Sequence, residues 1–120
     1  MFFKVKNYAT MQTALDELCT FLTSSGIPQE LVFDSKLIAC ELLGNALKYT
    51  DGESGLHSEI KDGYIRLKIL SERHFTLPEE IVCSDVLREN GRGLFLVNKL
   101  CDGRIASDEE GIKVLLKIEK

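Results

Sequence analysis

Two periodicities run along the chain, one of two residues and one of three to four. Phe3 and Val5 alternate with Lys4 and Lys6, which predicts a short opening strand. Leu15, Leu18, Cys19 and Leu22 follow helical spacing, and Ser24, Ser25 and Gly26 stop that helix. Pro28 suits the first turn of a second helix running to about Tyr49, with Asp51 and Gly52 ending it. Leu56 to Ile60 and Tyr64 to Leu70 read as strands joined at Asp62-Gly63, a strong hairpin signal. In the second of these, Ile65, Leu67 and Ile69 face one way and Arg66 and Lys68 the other. Arg73 to Arg92 shows little periodicity and contains Pro78, so it reads as a long loop of the kind that often serves as a lid. Leu94 to Cys101 returns to helical spacing and closes at Asp102-Gly103. Arg104 to Ser107 and Ile112 to Ile118 form a last hairpin.

Hairpins supply antiparallel pairs, and the helices need a surface to bury against. The expected fold is therefore α+β, a two-layer sandwich with a mixed or antiparallel sheet and helices near 10–24, 28–49 and 93–101 on one face. A length of 120 residues suits one domain over 1–120. Apolar residues make up 44% and charged residues 28%, a globular balance rather than a disordered one. The net charge of −4 and the lack of a basic stripe argue against nucleic acid as a partner. No apolar run is long enough for a membrane span, and Met1 to Asn7 does not read as a signal peptide, so a cytoplasmic protein is expected. Cys19, Cys40, Cys83 and Cys101 are too widely spaced for a zinc site. Cys19, Cys40 and Cys101 read as reduced core residues in apolar helical patterns, while Cys83 has no assigned role.

The informative segment is Leu37 to Thr50, LIACELLGNALKYT. At about 100° per residue, Glu41, Asn45 and Lys48 share one narrow stripe, with Gly44 beside them and apolar residues over most of the remaining circumference. One reading is a partly exposed edge with an ordinary surface Glu and Lys. The other is a ligand cleft. There a carboxylate activates a hydroxyl, an amide oxygen one turn away binds magnesium, and a lysine neutralises phosphate charge. Further along, Gly91 and Gly93 permit close backbone approach just before a helix start at Leu94, where free N–H groups favour an anion. A flexible turn before an amphipathic helix is the plainer account of that segment. No Walker-type Gly-x-x-x-x-Gly-Lys-Ser/Thr occurs. His57 and His74 are isolated and read as surface residues.

Glu41-Leu-Leu-Gly-Asn45-Ala-Leu-Lys48-Tyr49 resembles the asparagine box of the GHKL superfamily, the gyrase, heat-shock chaperone, histidine-kinase and mismatch-repair ATPases. Asn90-Gly91-Arg92-Gly93-Leu94-Phe95-Leu96-Val97 is similar to that family's later glycine box. The resemblance implies a Bergerat-type ATP-binding fold, with Glu41 as general base or orienting group and Asn45 as the magnesium ligand. It also implies that Lys48, Gly91, Arg92, Gly93 and Leu94 lie against the phosphates. ATP and magnesium are the implied cofactors.

The likeness departs at the first glycine box, Asp-x-Gly-x-Gly. The segment Ser71-Glu72-Arg73-His74-Phe75 puts Ser71 at the adenine-facing Asp and bulky Arg73 and Phe75 at the glycines. The final Gly-Thr pattern keeps Gly111 but has Ile112 in place of the hydroxyl residue. A chain of this size is most similar to the stand-alone bacterial anti-sigma factor and serine kinase branch. That branch implies a protein partner such as a sigma factor or its antagonist, homodimerisation, and serine/threonine kinase activity. Two readings stay open: a magnesium-nucleotide-binding regulator, and a module that kept the fold but binds only protein.

Overall fold

The computed structural model describes residues 1–49, 54–71, 89–107 and 111–118, and within these the side chains other than those at 48–49, 71 and 89–94. Five strands and three helices follow in the order β1 (Phe2–Val5), α1 (Tyr8–Ser24), α2 (Gln29–Tyr49), β2 (Ser54–Lys61), β3 (Tyr64–Ser71), α3 (Glu89–Leu100), β4 (Ile105–Ser107) and β5 (Gly111–Lys117). The strands form one sheet ordered β1-β2-β3-β5-β4, with every neighbouring pair antiparallel. The expected two-layer α+β sandwich is what forms.

Strand alternation decides which face the helices cover. Val5, Leu56, Ile65, Leu67, Ile69, Ile112, Val114 and Leu116 are buried. The register places them side by side, Leu56 opposite Ile69, Leu67 opposite Val114 and Ile65 opposite Leu116. Lys4, Arg66, Lys68 and Lys113 fall on the other face. Leu15, Leu18 and Leu22 of α1 and Ile38, Leu42 and Leu43 of α2 complete the core. Each such side chain contributes about 1.5–3 kcal/mol on burial. Helix α2 is the centre of its layer, packing against α1, α3 and strands β2, β3 and β5.

Local chemistry sets the ends of the elements. Helix α1 starts two residues before the expected position, capped by Asn7, with its Oδ1 accepting from Thr10 N–H at 2.9 Å and Thr10 Oγ1 accepting from Asn7 N–H at 2.9 Å. Gly26, at φ 82°, reverses the chain so that Ile27 N–H donates to the Leu22 carbonyl. Asp62 and Gly63, at φ 55° and 81°, form the turn that the Asp-Gly signal predicts between β2 and β3.

The third helix corrects the expectation. It begins at Glu89, not near Leu94, so Gly91 and Gly93 lie inside its first turns rather than in a loop before it. Glycine costs about 1 kcal/mol in a helix interior, and tertiary packing routinely outweighs that. Val97 and Cys101, fully buried and one turn apart, supply the packing here. Of the predicted loop Arg73–Arg92, positions 89–92 are therefore helical. Its remaining positions, Cys83 and His74 among them, lie outside the described residues, as do Asp51 and Gly52.

Candidate functional site on helix α2

Glu41 and Asn45 sit one turn apart on the flank of α2, where the core-facing surface gives way to the outer one. Asn45 is only 9% exposed, against a half-buried Glu41. A buried side-chain amide away from a partner costs free energy, so its burial beside Leu42 and Ala46 marks a position where polarity is retained. The other buried polar residues that are described are Ser35, Ser54 and Ser58. Ser35 is explained locally, because its Oγ donates to the Leu31 carbonyl at 2.7 Å.

The charge on Glu41 is felt around it. Cys40 is exposed rather than the core residue its pattern suggests; partial desolvation of its thiol still raises its pKa above the ordinary 9.0, the Glu41 carboxylate raises it further, and Lys36 acts in the opposite sense. Burial likewise raises the Cys101 thiol, against the pull of hydrogen bonds from nearby backbone and the charge of Arg104. Neither cysteine has the lowered pKa of a thiolate nucleophile. Among the described residues no cluster of three or more His, Cys, Asp or Glu side chains could hold a metal ion. A cation at Asn45 would have to draw most of its oxygens from a ligand and water. The amide oxygen of Asn45 is a hard donor of the kind magnesium takes.

The remaining candidates are placed by backbone. Lys48 follows Asn45 on α2, in line with the stripe. Gly91, Arg92, Gly93 and Leu94 all belong to α3, which packs along α2. Because α3 starts at Glu89, its unpaired N–H groups belong to residues 89–92 rather than to the turn after Leu94. Ser71 closes β3 directly across from Ser54. One residue escaped the sequence reading here. Ser54 is 4% exposed on the helix-covered face, and its Oγ finds no hydrogen-bond partner among the described residues. The Ser-x-Leu-x-Ser alternation at 54–58 carries the signal, since it puts both serines on the face of Leu56. A separate cleft of about 270 Å³ lies at the β4–β5 edge, lined by Gly103, Arg104, Ile105, Ala106, Lys113 and Leu115. None of the candidate residues lines it.

No protein-family model matches the chain, and no curated protein sequence matches it.

Proposed function

We propose that this chain is a nucleotide-binding regulatory domain of the GHKL type, taking a magnesium nucleotide between α2 and α3 and acting on a protein partner. The observation that carries the reading is the near-complete burial of Asn45, one turn from half-buried Glu41, on the helix against which α3 packs. In this reading Asn45 holds magnesium through its amide oxygen. The ion neutralises phosphate charge when bound. Lys48 adds a second cation for the phosphates. The first turn of α3, which includes Gly91, supplies backbone N–H groups, with Arg92, Gly93 and Leu94 following it along the helix. In this reading Glu41 accepts a proton from, or orients, a serine or threonine hydroxyl that a partner presents. That is the role a serine/threonine kinase step requires. The branch resemblance names the partner class, a sigma factor or its antagonist, with a cytoplasmic location where nucleotide and magnesium are at hand.

A second reading is supported by Ser71, which occupies the position where the resembled family carries an acidic adenine acceptor. In that reading the chain is a protein-binding module without nucleotide. Thermal unfolding with ATP and ADP, with and without magnesium, separates the two. The first reading expects a magnesium-dependent stabilisation of about 2.7 kcal/mol at a ligand concentration 100 times its dissociation constant. No stabilisation by either nucleotide at millimolar concentration leaves the protein-binding module.

A further inference from the structure

In a chain of net charge −4, the face of the sheet opposite the helices is basic. By register, Lys61, Tyr64 and Lys117 form one row across it, and Glu59, Arg66 and Leu115 the next. Arg104 extends the second row, since the Leu115 N–H donates to its carbonyl at 3.0 Å. Lys113 and Ala106 share the row beyond. Glu59 is the one carboxylate on these rows, and it is bound to Arg66 at 2.7 Å.

The basic side chains lead to the cleft at the β4–β5 edge. Arg104 and Lys113 flank it, with Ile105, Ala106 and Leu115 as its apolar lining. The Arg104 guanidinium is held 5.6 Å from the centre of the Tyr64 ring and donates to the Cys101 carbonyl at 3.3 Å. Its contact with the exposed Asp102 is long, at 3.8 Å, so donors remain for a further acceptor. Strand β4 is also the edge of the sheet among the described residues, paired with β5 alone. Arg104 and Ala106 turn their backbone groups to β5, and alternation therefore turns those of Ile105 and Ser107 outward. The described residues make no hydrogen bond to these outward groups.

We infer that β4 takes up an extended acidic segment of a partner protein as an added strand, with the acidic side chains over the cleft. The register dictates the chemistry of that segment. Its residue paired with Ile105 falls on the helix-covered face, where Ile105 packs against the core, and is apolar. Its neighbours on either side fall on the open face beside Arg104 and Ala106, and are acidic. Ala106 is the small residue of its row, so the long Lys113 side chain reaches across it from the next strand, about 4.8 Å further in. The segment thus alternates apolar and acidic residues. A phosphate backbone or a lipid headgroup would meet the cations but leave the outward N–H and C=O groups of Ile105 and Ser107 unmatched, whereas a peptide backbone matches both. Only two residues of β4 face outward, so binding is modest and weakened by salt. None of the α2 and α3 candidates contributes, and the inference does not rest on nucleotide binding.

Amide NMR of the full chain, titrated at low salt with a peptide of about seven residues alternating valine and glutamate, tests it. The peptide should shift the resonances of β4 and slow hydrogen exchange at Ile105 and Ser107. The matching valine-lysine peptide should do neither. Lys113→Glu should weaken binding roughly fivefold through charge. Ser107→Pro should weaken it by a similar factor through the missing N–H, because an edge strand tolerates proline where its N–H faces solvent. Both variants should melt close to wild type. No shift with millimolar glutamate peptide overturns the inference, as does equal binding of the two peptides. Binding that leaves exchange at Ile105 and Ser107 unchanged overturns the added strand. Tighter, Lys113-dependent binding of an oligothymidylate or of phosphatidylserine vesicles would assign the face to nucleic acid or membrane instead.

Discussion

Gly111 opens β5 at φ 151°, where a Cβ would collide with the Ile69 carbonyl oxygen and stand 2.9 Å from the Ile69 carbonyl carbon and 3.2 Å from Leu70 Cα. All three are backbone atoms, so none can swing aside. In sequence Gly111 reads as the remnant of a Gly-Thr pattern, but the structure gives it a purely steric reason in the β3–β5 pairing, where it stands opposite Leu70. Gly111→Ala is expected to destabilise the fold by about 3 kcal/mol, through left-handed backbone strain plus the clash. Urea unfolding measures this, and a loss under about 1 kcal/mol would mean the strand shifts freely. Gly44→Ala, with open space around it, is the control. The same contrast marks how much of the site was legible by residue. Glu41 and Asn45 could be paired from spacing alone, because helical periodicity is local. Ser54 has a local signal too, in the Ser-x-Leu-x-Ser alternation, but its burial depends on which helices cover that face of the sheet, which alternation within a strand does not specify.

The ends of elements depend on side-chain chemistry that periodicity does not weigh. Helix α1 starts at Tyr8 because Asn7 and Thr10 satisfy each other's backbone N–H groups, two residues before the apolar pattern would open the helix. Removing the cap should therefore cost stability even though Asn7 is exposed. Asn7→Ala is expected to lose about 1 kcal/mol. That is a drop of about 4 °C in melting temperature for a domain of this size. An unchanged melting temperature would show that packing of Leu15, Leu18 and Leu22 alone sets the start of α1. Helix α3 likewise begins earlier than expected. Two glycines and a charged, aperiodic approach suggest a loop, yet the helix begins at Glu89 and packs on α2, with Val97 fully buried. By contrast, the Asp62-Gly63 turn was fully legible, since its positive φ values suit few other residue pairs.

At the scale of the whole molecule, alternation in β3 and β5 and the one-sided faces of the helices were enough to dictate two layers. The strand order β1-β2-β3-β5-β4, with β5 inserted between β3 and β4, was not, because it depends on long-range pairing. The layers bring α2 and α3 together over the sheet, and at that scale the two functional readings part most clearly. If the domain binds nucleotide, the phosphates should dominate, held by magnesium on Asn45 and by the start of α3. The base should matter little. In that reading Ser71 stands where the resembled family carries an acidic acceptor, and a charge-assisted hydrogen bond of that class is worth about 1.5–3 kcal/mol. An acid rejects guanine because it can only accept, while the guanine carbonyl also only accepts. A serine hydroxyl can donate to guanine as well as accept from adenine. ATP and GTP should therefore bind within about tenfold of each other, a difference under about 1.4 kcal/mol. Asn45→Ala should abolish the magnesium-dependent part for both, and Ser71→Ala should change neither by more than a few fold. Calorimetric titration of the wild type and the two variants with each nucleotide makes the comparison. A preference for ATP of a hundredfold or more would show that another acceptor near the end of β3 reads the adenine amino group. It would also show that phosphate contacts alone do not account for recognition.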